Sequence, residues 1–106
     1  MVDPTINKSA IVLNKKELFA KIKIPSYYNV ILLNDDFATM EFVIQVLLIF
    51  FKMKNYKARN IMLKIHKEGA AICGIFTKDV AETIASNVNN YSRQNLFPLK
   101  CIIKIK

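Results

Sequence analysis

The sequence predicts an α+β fold, in which one small domain packs a three-stranded antiparallel sheet against three helices in the order β-α-α-β-α-β. Three observations predict it. The chain has 106 residues, of which 53% are hydrophobic, and this is enough for one domain with a buried core. Its apolar residues follow strand and helix periods in turn. Turn-forming and capping residues separate these segments.

The first strand is expected at Tyr27 to Leu33, where aromatic and branched residues cluster. It follows Pro25, before which residues 1–24 show no sustained period and predict a flexible N-terminal arm. The core domain is therefore expected to span residues 25–106. The strand should end at the polar triplet 34–36 (NDD), because Asn and Asp side chains favour turns.

Two helices should follow this turn. Residues 40–52 are apolar on nearly every side, which predicts a central, buried helix. Residues 56–68 carry one apolar stripe and end at Gly69, a residue typical of the position after a helix. A short strand is expected over residues 70–76.

The last helix and strand complete the predicted order. Thr77 is a good N-cap for a helix to about Tyr91, and Asp79 in its first turn opposes the positive end of the helix dipole. We expect five side chains to face inward, namely Val80, Ala81, Ile84, Val88 and Tyr91. Residues 99–105 alternate as a strand, which would place on one face Leu99, Cys101, Ile103 and Ile105.

Composition excludes several classes of protein. The two cysteines lie in apolar runs, so we expect buried free thiols and no disulfide scaffold. With only one histidine, the chain lacks the ligand spacing of a zinc site, and no metal or other cofactor is expected. Neither a secretory leader nor a stretch of the ~20 apolar residues that span a bilayer is evident. We therefore expect a soluble cytoplasmic protein without membrane contact.

The net charge of +8 raises nucleic-acid binding as an alternative function. The densest basic stretch, residues 52–67, alternates with apolar residues at helical spacing, which is typical of a solvated helix face. Most of the basic residues are Lys, whereas Arg is the type favoured for bidentate contacts to bases. A small basic nucleic-acid-binding domain therefore stays only an alternative, and no nucleic-acid partner is expected.

The residues that could support catalysis are few, so no enzymatic activity is expected. Asp35 and Asp36 are adjacent, which does not give the separated carboxylates of a glycosidase. Cys73 and His66 form the one available thiol and imidazole pair, but Cys73 lies in an apolar strand. The two glycines make no phosphate-binding loop.

His66 is the most informative polar residue. It lies four residues after Met62, so both project toward one side of the second helix. A single histidine near an apolar helix face is usually structural. If the two helices pack at the mouth of the 34–36 turn, however, His66 joins an Asn and two carboxylates around an apolar floor. Acceptors over such a floor suit a small cation carrying a large hydrophobic group.

A family resemblance follows from these residues and their flanking motifs. The segments VILLNDDFATMEFVIQVL, MLKIHKEGAAICGIFTKDVAET and RQNLFPLKC closely resemble the ClpS family, the adaptors of the bacterial ATP-dependent Clp protease, over residues 25–106. The resemblance implies that the chain binds proteins with a free N-terminal Leu, Phe, Tyr or Trp, the N-degrons of the N-end rule. It further implies that they are delivered to the ClpA unfoldase, through its N-terminal domain, for degradation by ClpAP. The protein is expected to be a monomer.

The resemblance also implies roles for individual residues. Asn34 and His66 would hydrogen-bond the α-amino group of the degron, and Asp35 and Asp36 would supply further acceptors. The side-chain pocket would be formed by Met40, which resembles a gate residue, and by Val43, Met62, Ile65 and Leu99. The unfoldase would contact Asp79 and Ile84, and the arm would take part in handover.

Two departures from the family pattern bear on these roles. Family members commonly place Thr and Pro before the Met and Glu of the first helix, whereas this chain has Ala38 and Thr39 there. Either Thr39 caps the helix, which then starts one residue later, or Ala38 occupies the cap position, which costs about 0.5 to 2 kcal/mol of stability. Ile84 stands where Lys is common, so we expect docking with altered affinity.

Overall fold

The structure is a computed structural model, and it describes residues 26–34 and 38–106. The predicted arm, residues 1–24, lies outside these residues, as do Asp35 and Asp36. The described elements are β1 (Tyr27–Leu33), α1 (Met40–Phe50), α2 (Asn55–Glu68), β2 (Ala70–Thr77), α3 (Lys78–Gln94) and β3 (Lys100–Ile105). Their order and number confirm the predicted α+β class.

The sheet has the order β2-β1-β3, and both pairs are antiparallel. Leu33 pairs with Ala70 at one end of β1, and Tyr27 pairs with Thr77 at the other. The register shifts between Val30 and Ile31, which marks a bulge in the pairing with β2. The inward residues of β1, Val30 and Leu32, have no exposed surface and form the centre of the core.

The helix against the sheet is α3, which packs on all three strands. The prediction that the first helix is the central one is therefore wrong. α1 packs chiefly on α2 and α3, and its Ile49 is 47% exposed. α1 also ends at Phe50, two residues earlier than predicted, because Lys52 adopts a left-handed conformation with φ of 52°.

Two residues that were predicted to face inward are instead exposed. Val80 is 46% exposed, because it lies in the first turn of α3, where the helix has only begun to pass over the sheet. Ile105 is 63% exposed, because it ends an edge strand. The remaining predicted inward residues are buried or pack against the core, including Ala81, Val88, Cys101 and Ile103.

Candidate functional site

Asn34 lies where three elements meet. It directly follows β1, and its backbone N–H donates to the carbonyl of Gly69 at 3.1 Å. Gly69 ends α2 in the left-handed conformation, with φ of 83°, and its own N–H donates to the Ile65 carbonyl at 2.7 Å. This conformation, which glycine adopts without a Cβ penalty, turns the chain directly into β2. The end of β1 is thereby fixed to the end of α2.

The side chain of Asn34 has an unsatisfied acceptor. Its Nδ2 donates to the Ala38 carbonyl at 3.5 Å, the far limit of a hydrogen bond. Its Oδ1 is buried and has no hydrogen-bond partner in the described part of the chain. A buried acceptor without a donor costs about 1 to 3 kcal/mol. The site can therefore gain free energy by binding a group that brings an N–H donor.

His66 lies in the last turn of α2, three residues before Gly69. Its side chain is exposed, so it is not buried in the core. Because the Gly69 carbonyl holds the Asn34 backbone, the fold brings the helix end that carries His66 to the end of β1. An exposed imidazole at this junction is available to a ligand. Asp35 and Asp36, predicted beside it, stay predictions.

Four of the five predicted side-chain pocket residues belong to one buried cluster. Val43 is 1% exposed, Met62 7%, Ile65 1% and Leu99 2%. They come from α1, from α2 and from the residue before β3. Met40, the predicted gate, is 44% exposed at the first position of α1. A flexible methionine such as Met40, together with buried apolar side chains, suits the binding of a large hydrophobic group.

Thr39 settles how α1 begins. Its backbone is extended, and its hydroxyl accepts a hydrogen bond from the Phe42 N–H at 3.1 Å. Thr39 is thus the N-cap, which confirms the first of the two predicted alternatives. Ala38 is instead buried, and its carbonyl accepts the Asn34 amide. That second role was not predicted, although Asn side chains commonly hydrogen-bond backbone groups a few residues away.

The predicted docking residues lie at the opposite end of β2. Asp79 is exposed in the first turn of α3, after the N-cap position Thr77. Contrary to expectation, the Thr77 side chain makes no capping hydrogen bond. Ile84 is only partly buried and packs against the core. Of the two, Asp79 is the one free to contact a partner.

The two thiols have the character of structural cysteines. Both are free and buried, as predicted. Burial raises the pKa of the Cys73 thiol to about 12, and it raises the pKa of the Cys101 thiol to about 12 together with the neighbouring Cys73. Since the thiolate is the nucleophilic form, neither sulfur is poised for covalent catalysis at neutral pH.

Other ligand classes find little support in residues 26–34 and 38–106. These ranges contain no cluster of three metal-binding side chains. None of their helices is long and apolar enough to cross a membrane. On α2, the basic residues Lys57, Arg59 and Lys64 are exposed, as expected for a solvated helix face.

Comparison with known proteins identifies relatives of the whole core domain. A family model described as "ATP-dependent Clp protease adaptor protein ClpS" matches residues 23–102. The chain is 49% identical over 89 residues to the ATP-dependent Clp protease adapter protein ClpS of Methylococcus capsulatus, covering 84% of each chain. It is 46% identical over 93 residues to the protein of that name from Burkholderia mallei, covering 88% of each.

A solved structure shares the fold. The structure of Agrobacterium tumefaciens ClpS2 bound to L-phenylalaninamide matches with a TM-score of 0.76 and 34% sequence identity. The match covers 78% of this chain and all of the other. Its ligand carries a free α-amino group beside a benzyl side chain.

Proposed function

The chain belongs to the ClpS family of Clp protease adaptors, which are not enzymes, and on that premise we propose that it recognises N-degrons. Its ligands would be proteins with a free N-terminal Leu, Phe, Tyr or Trp, which it delivers to the ClpA unfoldase for degradation by ClpAP. The observation that carries the proposal is the buried Asn34 Oδ1, which has no hydrogen-bond partner among the described residues, together with the apolar cluster that includes Val43, Met62, Ile65 and Leu99.

The chemistry of an N-terminus matches this site. An α-amino group has an ordinary pKa of about 7.7 to 8.0, so it is largely an ammonium at neutral pH and offers three N–H donors. Asn34 Oδ1 accepts one of them, and His66 at the adjoining helix end accepts another through a ring nitrogen. Asp35 and Asp36 add acceptors and favourable charge. An acetylated N-terminus lacks the charge and leaves these acceptors unsatisfied.

The side chain of the first residue enters the apolar cluster. Burying a Leu or Phe side chain contributes about 1.5 to 3 kcal/mol. Met40 at the rim closes over it and acts as the gate against β-branched side chains. The bound phenylalaninamide in the Agrobacterium relative supports this arrangement, because that ligand combines the same amine with an aromatic side chain.

Delivery requires a second surface. We assign unfoldase docking to Asp79, with Ile84 beside it on α3 as a minor contributor because it packs on the core. The N-terminal arm takes part in handover, and the adaptor works in the cytoplasm as a monomer.

The proposal is tested by fluorescence anisotropy with a labelled peptide beginning with Phe. Asn34→Ala and His66→Ala should each weaken binding by about 10-fold or more, since hydrogen bonds to a charged group contribute about 1.5 to 3 kcal/mol. Lys67→Ala, an exposed change one residue after His66, is the matched control and should bind as the wild type does.

Acetylation of the peptide separates this mechanism from simple hydrophobic binding. The acetylated Phe-peptide should lose at least as much affinity as either variant. Equal binding of the free and acetylated peptides would show that the site does not read the amino group, and the proposed function would be wrong.

A further inference from the structure

Asn89 joins α3 to β3 through two hydrogen bonds. Its Nδ2 donates to the Cys101 carbonyl at 3.0 Å, and the Cys101 N–H donates to its Oδ1 at 2.8 Å. β3 is an edge strand, so one of its sides has no neighbouring strand. At Cys101, the side-chain amide of Asn89 supplies the donor and the acceptor that a further strand would otherwise supply.

This pair of bonds fixes the chain two residues after Leu99. On the other side of Leu99, the Phe97 N–H donates to the Ser92 carbonyl at 2.9 Å. The Phe97 ring also packs on Phe42, with ring centroids 4.3 Å apart. Hydrogen bonds therefore hold the backbone on both sides of Leu99, at Phe97 before it and at Cys101 after it.

The backbone after Leu99 is held from two sides. On one side β3 pairs with β1, where Lys100 lies opposite Leu33 and Cys101 opposite Leu32. On the other side a cleft of about 460 Å³ runs between α3 and the start of β3, and Asn89, Leu99 and Cys101 are among the residues that line it. The Leu99 side chain itself is only 2% exposed. On the cleft side, the two hydrogen bonds from Asn89 restrain the backbone.

From this geometry we infer that Asn89 is a positioning residue of the side-chain pocket, an inference that rests on the proposed function. It acts through Leu99 by holding the following backbone, so that Leu99 stays in the cluster with Val43, Met62 and Ile65. Without these bonds, Leu99 shifts toward the cleft and the pocket wall loses its fit to a bulky N-terminal side chain.

A double-mutant cycle in the full-length chain tests the inference, with the labelled Phe-peptide as ligand. Asn89→Ala should weaken binding about 5- to 20-fold. In a Leu99→Ala background, the same change should have less than a 2-fold effect, because the wall that it positions is already gone. In a His66→Ala background, it should keep its full effect, since His66 contacts the amino group. Asn87→Ala, an exposed change on the same helix, should bind normally.

A second variant guards against loss of folding. Asn89→Asp keeps the acceptor for the Cys101 N–H but puts a charged oxygen in place of the donor, opposite the Cys101 carbonyl, so it should also weaken binding, with the same coupling to Leu99. If Asn89→Ala weakened binding by the same factor in the Leu99→Ala background as in the wild type, the inference would be wrong. The proposed function would still stand, provided that the wild type binds the Phe-peptide. A wild type that binds the free and acetylated peptides equally would overturn the proposed function, and the inference with it.

Discussion

At the residue scale, Asn34 combines two opposed requirements. Its backbone hydrogen bond to Gly69 joins β1 to α2, which stabilises the fold, whereas its side chain keeps a buried acceptor that finds no donor in residues 26–34 and 38–106. Such a group is tolerated where a ligand satisfies it, so stability and binding are expected to respond in opposite senses when it is removed.

Asn34→Ala tests this opposition in the free protein. The change keeps the backbone hydrogen bond to Gly69, removes the buried Oδ1, and loses the long 3.5 Å bond to the Ala38 carbonyl. We expect the free energy of unfolding to stay within about 1 kcal/mol of wild type or to rise, while Phe-peptide affinity falls. Urea unfolding, alongside the binding assay, measures both. A loss above about 2 kcal/mol would mean that the side chain is structural.

The two thiols make stability depend on pH in the alkaline range. Their folded-state pKa values of about 12 lie above the ordinary thiol value of about 8.5. Above pH 8.5, the unfolded chain loses these protons while the folded chain retains them, so stability falls as pH rises toward 12. The slope is about 1.4 kcal/mol per pH unit for each thiol.

Urea unfolding at pH 8 and pH 10 measures this effect. Between these values the wild type should lose about 2 to 4 kcal/mol more than the Cys73→Ala, Cys101→Ala double variant, which has no thiols. The comparison cancels the Lys and Tyr titrations that both proteins share. Equal losses would show that the thiols are not protected from ionisation.

At the scale of elements, both long helices end in a left-handed residue, but only one uses glycine. After α3, Leu96 has φ of 61°, with the Leu96 N–H bonded to the Arg93 carbonyl and the Phe97 N–H to the Ser92 carbonyl. This is the Schellman pattern. A left-handed conformation costs a residue with a Cβ about 1 to 2 kcal/mol, and Leu96, 89% exposed, recovers little by burial.

Leu96→Gly should therefore raise the free energy of unfolding by about 0.5 to 1 kcal/mol, after the larger chain entropy of glycine is subtracted. Leu96→Ala retains the strain and should change it little. Gly69→Ala should lower it by about 1 to 2 kcal/mol through backbone strain alone, because a Cβ there meets no atom within 4 Å. Chemical denaturation of the three variants measures these changes, and a Leu96→Gly protein no more stable than Leu96→Ala would contradict the account.

The sequence predicted elements better than their packing. β1 was predicted at its observed bounds, because branched residues and the polar triplet after Leu33 are local signals. The helix predicted over residues 40–52 is apolar on nearly every side, so its sequence does not indicate which face packs on the sheet. Only the tertiary structure shows that α3 covers all three strands. The polar turn at 34–36 and the spacing of Met62 and His66 predicted polar acceptors over an apolar floor, whereas the pairing of Asn89 with Cys101 joins residues 12 positions apart that carry no local pattern.

At the scale of the whole molecule, β2 separates the two proposed surfaces. The degron site lies at its first residue, Ala70, which follows the Gly69 contact to Asn34. The docking residue Asp79 lies two residues after its last, Thr77. Eight residues of strand span about 23 Å at about 3.3 Å per residue. With these proposed roles, a substrate bound at one end of β2 would leave the other end free for the unfoldase.

This separation predicts that binding and delivery can be lost independently. Asp79→Ala should leave Phe-peptide affinity within 2-fold of wild type, because the residue is exposed and follows the end of β2 that is far from the proposed degron site. It should slow degradation of a Phe-starting reporter protein by ClpAP several-fold, because the charge that faces the unfoldase is lost. Asn34→Ala should reduce both binding and degradation, and Glu68→Ala, which removes an exposed carboxylate at the end of α2, should reduce neither. If the reporter were degraded at the wild-type rate with the Asp79→Ala variant, the docking surface would lie elsewhere. If this variant also lost peptide binding, the two surfaces would be coupled through the fold.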